Sequence, residues 1–441
     1  MKKNGFLIFL FIFSVFISLF WAFFYIHAPV GGDAETYDTT AQAINRQGII
    51  KGFQSINQYI SRPLYPVFLA LVYAIFGHYY FFPIFIQIML TFGTVFLVYA
   101  ISKNLFGEIT GRLSGILMAL FPSAWAYSYI LMREAITVFA ITLLVFFLYK
   151  IKPDTKIFSF AILGLLFAFL GLLNAVLELL IIFIALWYVC IFYKKIDKKT
   201  LLKNMAALAL VFLAINGFWI AFIKNQILRP NVSGDTPALL LMEKYERMQN
   251  IQNNYSLYFT AHSLGDFFAL KMDKNYDKSV LRLGNNSRKL YDDLLTTMSQ
   301  KQVDSLFYKN ALSGFLSHPL LFIGQTVLEI LKFTSPMTPF SSMQPMLANT
   351  HNNISDIAKA MIIISMRFIS WVFYIFILAT IIRKRKNLET MGWLVLIIIY
   401  YYLVYISIYA IARYSLPIYP LYIILFSAGA TDLFEKNKKT S

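Results

Sequence analysis

Three carboxylates, Asp33, Glu35 and Asp38, fall within six residues, in the stretch GGDAETYD that follows an apolar run. A carboxylate held beside a bilayer can take a proton from a hydroxyl acceptor and serve as a general base. Acids near lipid are costly to keep without such a use. Asp33 has a second reading of equal weight. Gly31 and Gly32 precede it, and Tyr37, Ala41 and Ile44 follow at helical spacing, so it could simply cap a helix. Arginines supply the complementary chemistry. Arg62 precedes Pro63, where a short apolar helix begins; Arg133 stands beside Glu134 between two apolar runs; Arg413 opens the last run in ARYSLPIYP; Arg367 lies about two turns inside another run. A guanidinium presents a planar fork of donors that suits phosphate. Arginines converging at a membrane surface would fit a lipid phosphate headgroup. The plainer alternatives are interfacial snorkelling for Arg62 and Arg413, and a local pair for Arg133 with Glu134. Glu178 and Asn174 fit an intramembrane functional site or a buried hydrogen-bonding role equally well.

Other chemistries find little support. His262, His318 and His351 have no ligand-like spacing, and Cys190 is the only cysteine. Nothing argues for a metal or a cofactor. The chain has no phosphate-cradling glycine loop and no HExxH motif, so nucleotide-driven transport has no support either.

These residues must be carried by membrane helices. Of 441 residues, 59% are apolar and 14% charged, against roughly 45–50% and about 25% in soluble domains. A soluble enzyme or DNA-binding protein is thereby excluded. Apolar runs long enough or nearly long enough to span occur near 6–26, 80–102, 113–130, 135–149, 157–173, 175–193, 201–223, 360–382, 391–411 and 414–431. The run 63–76 is short for a span and reads as an interfacial helix, as does 319–333, which Glu329 and Lys332 interrupt. With ten spans, 13 of the 17 net positive charges fall on one face. The positive-inside rule makes that face cytoplasmic, with both termini on it. The surplus that would suggest nucleic acid in a soluble protein thus only orients the bundle, and no nucleic-acid partner is expected. The expected division is a transmembrane module over 1–223 with an outer loop at 27–79, an extracytoplasmic segment over 224–358, and C-terminal spans over 359–441.

The order of these motifs resembles the polyprenyl-phosphate-sugar-dependent GT-C glycosyltransferases, which include protein O-mannosyltransferase-like and aminoarabinose-transferase-like enzymes. The matching residues are Asp33, Tyr37 and Ala41; Arg62, Pro63, Tyr65 and Pro66; Phe76 and Gly77; the turn Ser102–Gly107; Pro122 to Ala135 with Ser128 and Glu134; His318–Pro319; and Arg413, Tyr414 and Pro417. They cover most of 5–190 and 317–432. The chain departs from the family pattern at Ala34, where an acid often follows the first Asp, and at Asn174–Ala175, where Arg-Pro is common. Residues 224–316 have no match.

The resemblance implies an all-α polytopic fold of about ten transmembrane helices, GT-C-like, with interfacial helices and a mostly helical outer segment. It implies a glycosyltransferase that moves a hexose or pentose from a polyprenyl-phosphate donor to a hydroxyl on a glycan, lipid or protein. Inversion at the anomeric carbon would use Asp33 as general base, with Glu134 assisting. Arg62, Arg133, Arg413 and Arg367 would bind the leaving phosphate, and Glu35, Tyr37, Tyr65 and Tyr414 would position substrate. The expected location is a plasma (inner) membrane, with the active site on its outer face. A transporter or flippase of lipid-linked intermediates, and a lipid-linked polysaccharide polymerase, are the alternative readings. Transport is the less favoured, because the spans carry few charges.

Overall fold

Backbone polar groups in lipid must be satisfied within the segment, which favours helices. Among the described residues, every regular element of the computed structural model is helical. It describes residues 3–25, 32–55, 62–153, 155–224, 236–277, 285–335, 356–385 and 388–440. His351 and parts of the expected outer loop, residues 27–31 and 56–61, lie outside the described residues. The chain is an all-α polytopic membrane protein.

The helices are α1 (Lys3–Tyr25), α2 (Asp33–Gln47), α3 (Ile49–Gln54), α4 (Leu64–Phe76), α5 (Phe81–Phe106), α6 (Glu108–Leu120), α7 (Pro122–Ser128), α8 (Glu134–Leu148), α9 (Ile157–Leu173), α10 (Leu180–Phe192) and α11 (Lys198–Phe218). After them come α12 (Pro237–Asn250), α13 (Tyr255–Ser263), α14 (Asp266–Met272), α15 (Asn285–Leu295), α16 (Gln300–Ser317) and α17 (Pro319–Phe333). The last three are α18 (Asp356–Arg383), α19 (Leu388–Ser407) and α20 (Tyr419–Thr440).

Each expected span coincides with helix. Among the described residues six segments are long and apolar enough to cross a membrane, while α4, α8, α9 and the apolar part of α19 are shorter. Several expected spans are not continuous α-helix: 175–193 opens in a 3-10 turn, Ala175–Glu178, and 201–223 ends in a π-helical turn, Trp219–Lys224. The run 113–130 breaks between α6 and α7, because Pro122 disfavours helical geometry at Phe121, whose φ and ψ are −71° and 107°. The last run opens as a 3-10 turn, Ala412–Ile418, that contains Pro417.

Burial separates the inner spans from the outer ones. In the span at 412–434, 83% of the apolar window is buried, against 6% at 360–383. Helix α20 is therefore the central strut, with Leu421, Ile424, Leu425 and Ala428 wholly enclosed, and α18 presents most of its surface outward. Small and hydroxyl residues let helices approach closely. A Cβ on Gly164 would lie 2.6 Å from the Leu208 carbonyl of α11. Thr110 and Thr431 join α6 to α20 at 2.7 Å.

The two ends of the bundle differ. At one end Lys384 pairs with Asp432 at 2.7 Å and lies over the Phe106 ring, while Lys103 and Arg112 both engage Glu108. At the opposite end α2 lies across α4, and residues 236–333 build small apolar clusters of their own around Tyr291 and Phe307 and around Tyr258 and Leu328. Helices α16 and α17 meet at a bend of 102°.

Helix α2 is fastened by Asp38. Its carboxylate is buried and accepts from Tyr73 at 2.7 Å, His78 at 2.9 Å, Tyr80 at 3.2 Å and Gln42 at 2.9 Å. Of the three clustered acids, this one is a structural anchor between α2, α4 and the turn after it. Replacing Asp38 by Ala strips these donors of their common acceptor, at an expected cost of about 3 kcal/mol. Thermal melting in detergent should show a clear loss, smaller for Asp38→Asn, which keeps an acceptor. Equal melting of Asp38→Ala and wild type would remove the anchor role.

Candidate active site at one end of the bundle

Asp33 is the first residue of α2, not its cap. The N-cap is Gly32, at φ 58° and ψ −126°, and it offers no side-chain bond. That backbone conformation suits glycine alone. The Asp33 side chain is left free to reach across the molecule, and its Oδ2 accepts from Arg413 Nη2 at 2.8 Å. Arg413 Nε lies 3.3 Å from Glu134 Oε1. One guanidinium thus joins residues from the first loop, the start of α8 and the turn before α20. Exposure grades across the group: the side chain of Asp33 is 55% exposed, Arg413 25% and Glu134 9%. The prospective base stands at the rim and the second carboxylate at the floor. Glu134 Oε2 is buried with no hydrogen-bond partner among the described residues.

Tyr37 lies one helical turn after Asp33, on the same face of α2. Burial raises its hydroxyl pKa, and the charges of Arg133, Glu134, Asp33 and Arg413 all act on it. Its ring meets Tyr65 edge-on at 4.9 Å. Tyr65 is itself enclosed, and its hydroxyl donates to Gln87 at 2.7 Å. The Gln87 amide then donates to the carbonyls of Ser128 and Ile130 at 3.0 and 2.8 Å. This pins the loop that delivers Arg133 and Glu134. Tyr414 stacks on Tyr405 at 4.8 Å.

Around this centre the turn after α9 collects further polar groups. Arg133 Nη1 donates to the Leu173 carbonyl at 3.1 Å, a cation at a helix C-terminus. Asn174 donates to the Tyr405 hydroxyl at 3.2 Å. Arg62, buried beside α4, pairs with Glu178. Arg62 is therefore held by a carboxylate rather than snorkelling, and Arg133 bonds a backbone carbonyl while Glu134 pairs elsewhere.

The structure brings Asp33, Tyr37, Arg133, Glu134, Arg413 and Tyr414 together, and joins Arg62 to the turn next to them. Two expected residues stand apart. Glu35 is exposed and two residues on from Asp33, so it faces away from the Asp33–Tyr37 side. Arg367 bonds the His262 carbonyl on α13. The acid that stands near Asp33 in space is Glu134, a hundred residues further along the chain. Sequence reasoning passed over Gln87 and Tyr405. A lone amide inside an apolar span was the available clue to Gln87; Tyr405 lay hidden in a tyrosine-rich run. Among the described residues no three His, Cys, Asp or Glu side chains cluster in a way that could hold a metal.

Between α10 and α11 runs an apolar groove of about 550 Å³, with Glu178 at its edge and Ile182, Phe212 and Asn216 among its walls. Glu178 links it to Arg62.

Residues 61–219 match the family described as dolichyl-phosphate-mannose-protein mannosyltransferase. The match includes Arg62, Arg133 and Glu134 and leaves out Asp33 and Arg413. No curated protein sequence matches the chain. Among solved structures, the archaeal oligosaccharyltransferase AglB from Archaeoglobus fulgidus, in complex with an inhibitory peptide and a dolichol-phosphate, aligns with a TM-score of 0.50 and 15% identity, over 97% of this chain and 50% of that one. The apo form of the Archaeoglobus fulgidus oligosaccharyltransferase gives 0.52 and 14%, over 99% and 51%. ArnT from Cupriavidus metallidurans bound to undecaprenyl phosphate gives 0.42 and 10%, over 98% and 78%. The chain spans about half the length of the two oligosaccharyltransferases. At these identities the likeness is one of fold, and the fold is GT-C-like.

Two outcomes follow from the geometry. Arg413→Ala leaves Glu134 buried without its counter-charge, and stability should fall by about 3 kcal/mol. Adding Glu134→Gln should restore part of the loss in thermal melting; strictly additive losses would deny the pairing. The second outcome concerns pH. Burial first, then the nearby Lys332 and Arg367 charges, push the His262 pKa down to about 3. Unfolded histidine takes a proton near pH 6.5. Stability from neutral His262 is therefore full above pH 6.5 and is lost as pH falls toward 3, by at most about 1.4 kcal/mol per pH unit. Melting of His262→Gln should depend less on pH between 7 and 4 than that of wild type, and identical slopes would show that His262 is not held neutral.

Proposed function

We propose, from the mannosyltransferase domain that residues 61–219 match, that this chain transfers a sugar from a polyprenyl-phosphate donor to a hydroxyl acceptor at the end of the bundle where Asp33 lies. The observation that carries the reading is the single guanidinium of Arg413 set between an exposed carboxylate, Asp33, and a buried one, Glu134. A transferase of this kind needs a base at the acceptor side and fixed positive charge where the phosphate leaves.

In the reading, the donor phosphate enters beside Arg413 and Arg133 and draws Arg413 away from Asp33. The freed carboxylate then accepts the proton of the attacking hydroxyl. The acceptor oxygen bonds the anomeric carbon as the bond to phosphate oxygen breaks, and the configuration inverts. The arginines take up the charge that grows on the phosphate. Glu134 keeps the guanidinium oriented throughout. Arg62 acts at one remove, holding Glu178 and the turn that Arg133 caps. Tyr37 lines the site, and Tyr65 supports Tyr37 from behind. The groove between α10 and α11 offers an apolar wall for an isoprenoid chain. The gathering of basic helix ends at the opposite end of the bundle supports an extracytoplasmic site and cytoplasmic termini.

Reconstitution with radiolabelled polyprenyl-phosphate sugar tests the reading. Asp33→Asn should insert and melt like wild type yet lose sugar transfer by at least about a hundredfold, the scale of general-base catalysis. The anomeric configuration of the product, read by NMR, should be inverted. Transfer at the normal rate by Asp33→Asn would remove the base. Lipid movement without glycoside formation would favour a flippase, and extension of a diphosphate-linked chain a polymerase.

A further inference from the structure

Four charged side chains outside the site converge on the short stretch that leads into Arg413. Lys244 Nζ, on α12, donates to the Ile406 carbonyl at 2.7 Å. Nearly one turn on, Arg247 Nη2 donates to the Ile408 carbonyl at 2.6 Å. From α17, Glu329 Oε2 accepts the backbone N–H of Ala410 at 2.8 Å. Between these contacts the Tyr409 ring lies 4.3 Å from Lys332 Nζ and 4.9 Å from the Arg247 guanidinium carbon. Glu329 ties the cations together, 3.2 Å from Lys332 and 3.7 Å from Arg247. Lys244 and Arg247 are 1% exposed and Glu329 is fully enclosed.

Part of this is helix capping. Helix α19 ends at Ser407, and its last carbonyls need donors. Capping alone does not call for burial, since a surface lysine or water would serve. Burying several cations around one carboxylate is costly, and what such groups can supply in return is a defined arrangement. Here the contacts all fall on residues 406–410, and Arg413 follows after two intervening residues. The Tyr409 and Tyr414 rings also meet, at 6.5 Å. None of the clamping residues lies within the family match at 61–219.

We propose that Lys244, Arg247 and Glu329 are positioning residues, which clamp residues 406–410 so that Arg413 is held between Asp33 and Glu134. The segment between the spans then helps to set the catalytic geometry. The inference rests on the proposed function only in giving Arg413 a part in transfer; the clamp itself is a property of the fold.

The test has two arms on the full-length protein in detergent or nanodiscs. Hydrogen exchange, resolved to single residues, needs no sugar. In Lys244→Met and in Glu329→Ala, the amides at 409–411 should exchange at least tenfold faster than in wild type. So should those of Thr36 and Tyr37, which Arg413 steadies through Asp33, while α5 and α20 stay protected. Glu329→Gln, which keeps an acceptor for Ala410, should recover most of the protection. Loosening at 409–411 with Thr36 and Tyr37 unchanged would overturn the proposal. The second arm is a double-mutant cycle. Lys244→Met should lower kcat for transfer at least tenfold in wild type, with acceptor KM little changed, and less than twofold on an Arg413→Lys background. A full effect on both backgrounds would mean that the clamp does not act through Arg413. If Glu329→Ala fails to fold, Lys244→Met carries both arms. If wild type transfers no sugar, the proposed function fails, and the exchange arm still decides on the clamp.

Discussion

A guanidinium largely withdrawn from water is costly to leave without counter-charge, and in this protein the counter-charges come from two distant places in the chain. Arg413 pairs with Asp33 and Glu134, so the first loop, the start of α8 and the turn before the last helix must meet at one point. Most of the specific architecture around that point serves this meeting. Each of the three segments is pinned by a buried polar side chain that takes no part in the ion pair. Asp38 fastens α2 to α4, Gln87 holds the loop before Arg133, and Glu329 holds the amide of Ala410. Apolar packing between lipid-immersed helices is weakly directional, because lipid is as apolar as leucine. Hydrogen bonds to buried carboxylates and amides are directional, and they supply the register that packing leaves loose.

The placing of α20 follows from the same need. The 3-10 turn that leads into it carries Arg413, and its body is enclosed by α5, α6, α8 and α18. A helix wrapped on all sides gives Arg413 a rigid base. The break at Phe121–Pro122 and the 3-10 turn at Ala412–Ile418 both occur in expected spans. At each, the backbone leaves helical geometry where side chains must be aimed at the site or at the loop next to it. Such departures are tolerated at membrane depth only where neighbouring protein satisfies the freed groups.

The fold was legible to the extent that it depends on runs of apolar residues. Helices stand at the expected spans, at 64–76 and at 319–333, where hydropathy put apolar runs, because helix formation in an apolar setting depends on local composition. The candidate site was legible where a motif pointed to residues that meet: Asp33 and Glu134 share Arg413, and Arg62 pairs with Glu178 beside them. Glu35 shows the limit of spacing as a guide. It neighbours Asp33 in the chain, yet 100° of rotation per residue turns it to another face, and Glu134 occupies the place a second acid would take. Arg367 shows a second limit. Its depth in a span is readable from sequence, but its partner, the His262 carbonyl, belongs to a segment without recognisable motifs. The buried charges at 244, 247, 329 and 332 were equally unreadable, since in sequence they look like the polar face of any amphipathic helix.

Local composition and spacing therefore settle that this chain crosses a membrane as helices, and they single out the few charges that lie close to its apolar runs. They act through transfer free energy, which is nearly additive along the chain. Which of those charges meet is a different matter. The pairing of Arg413 with Asp33 and Glu134, and the clamp that holds it from the intervening segment, depend on contacts between residues up to 380 apart in sequence. Coulombic and hydrogen-bond energies change over single ångströms, so only the packed arrangement of the helices could decide them.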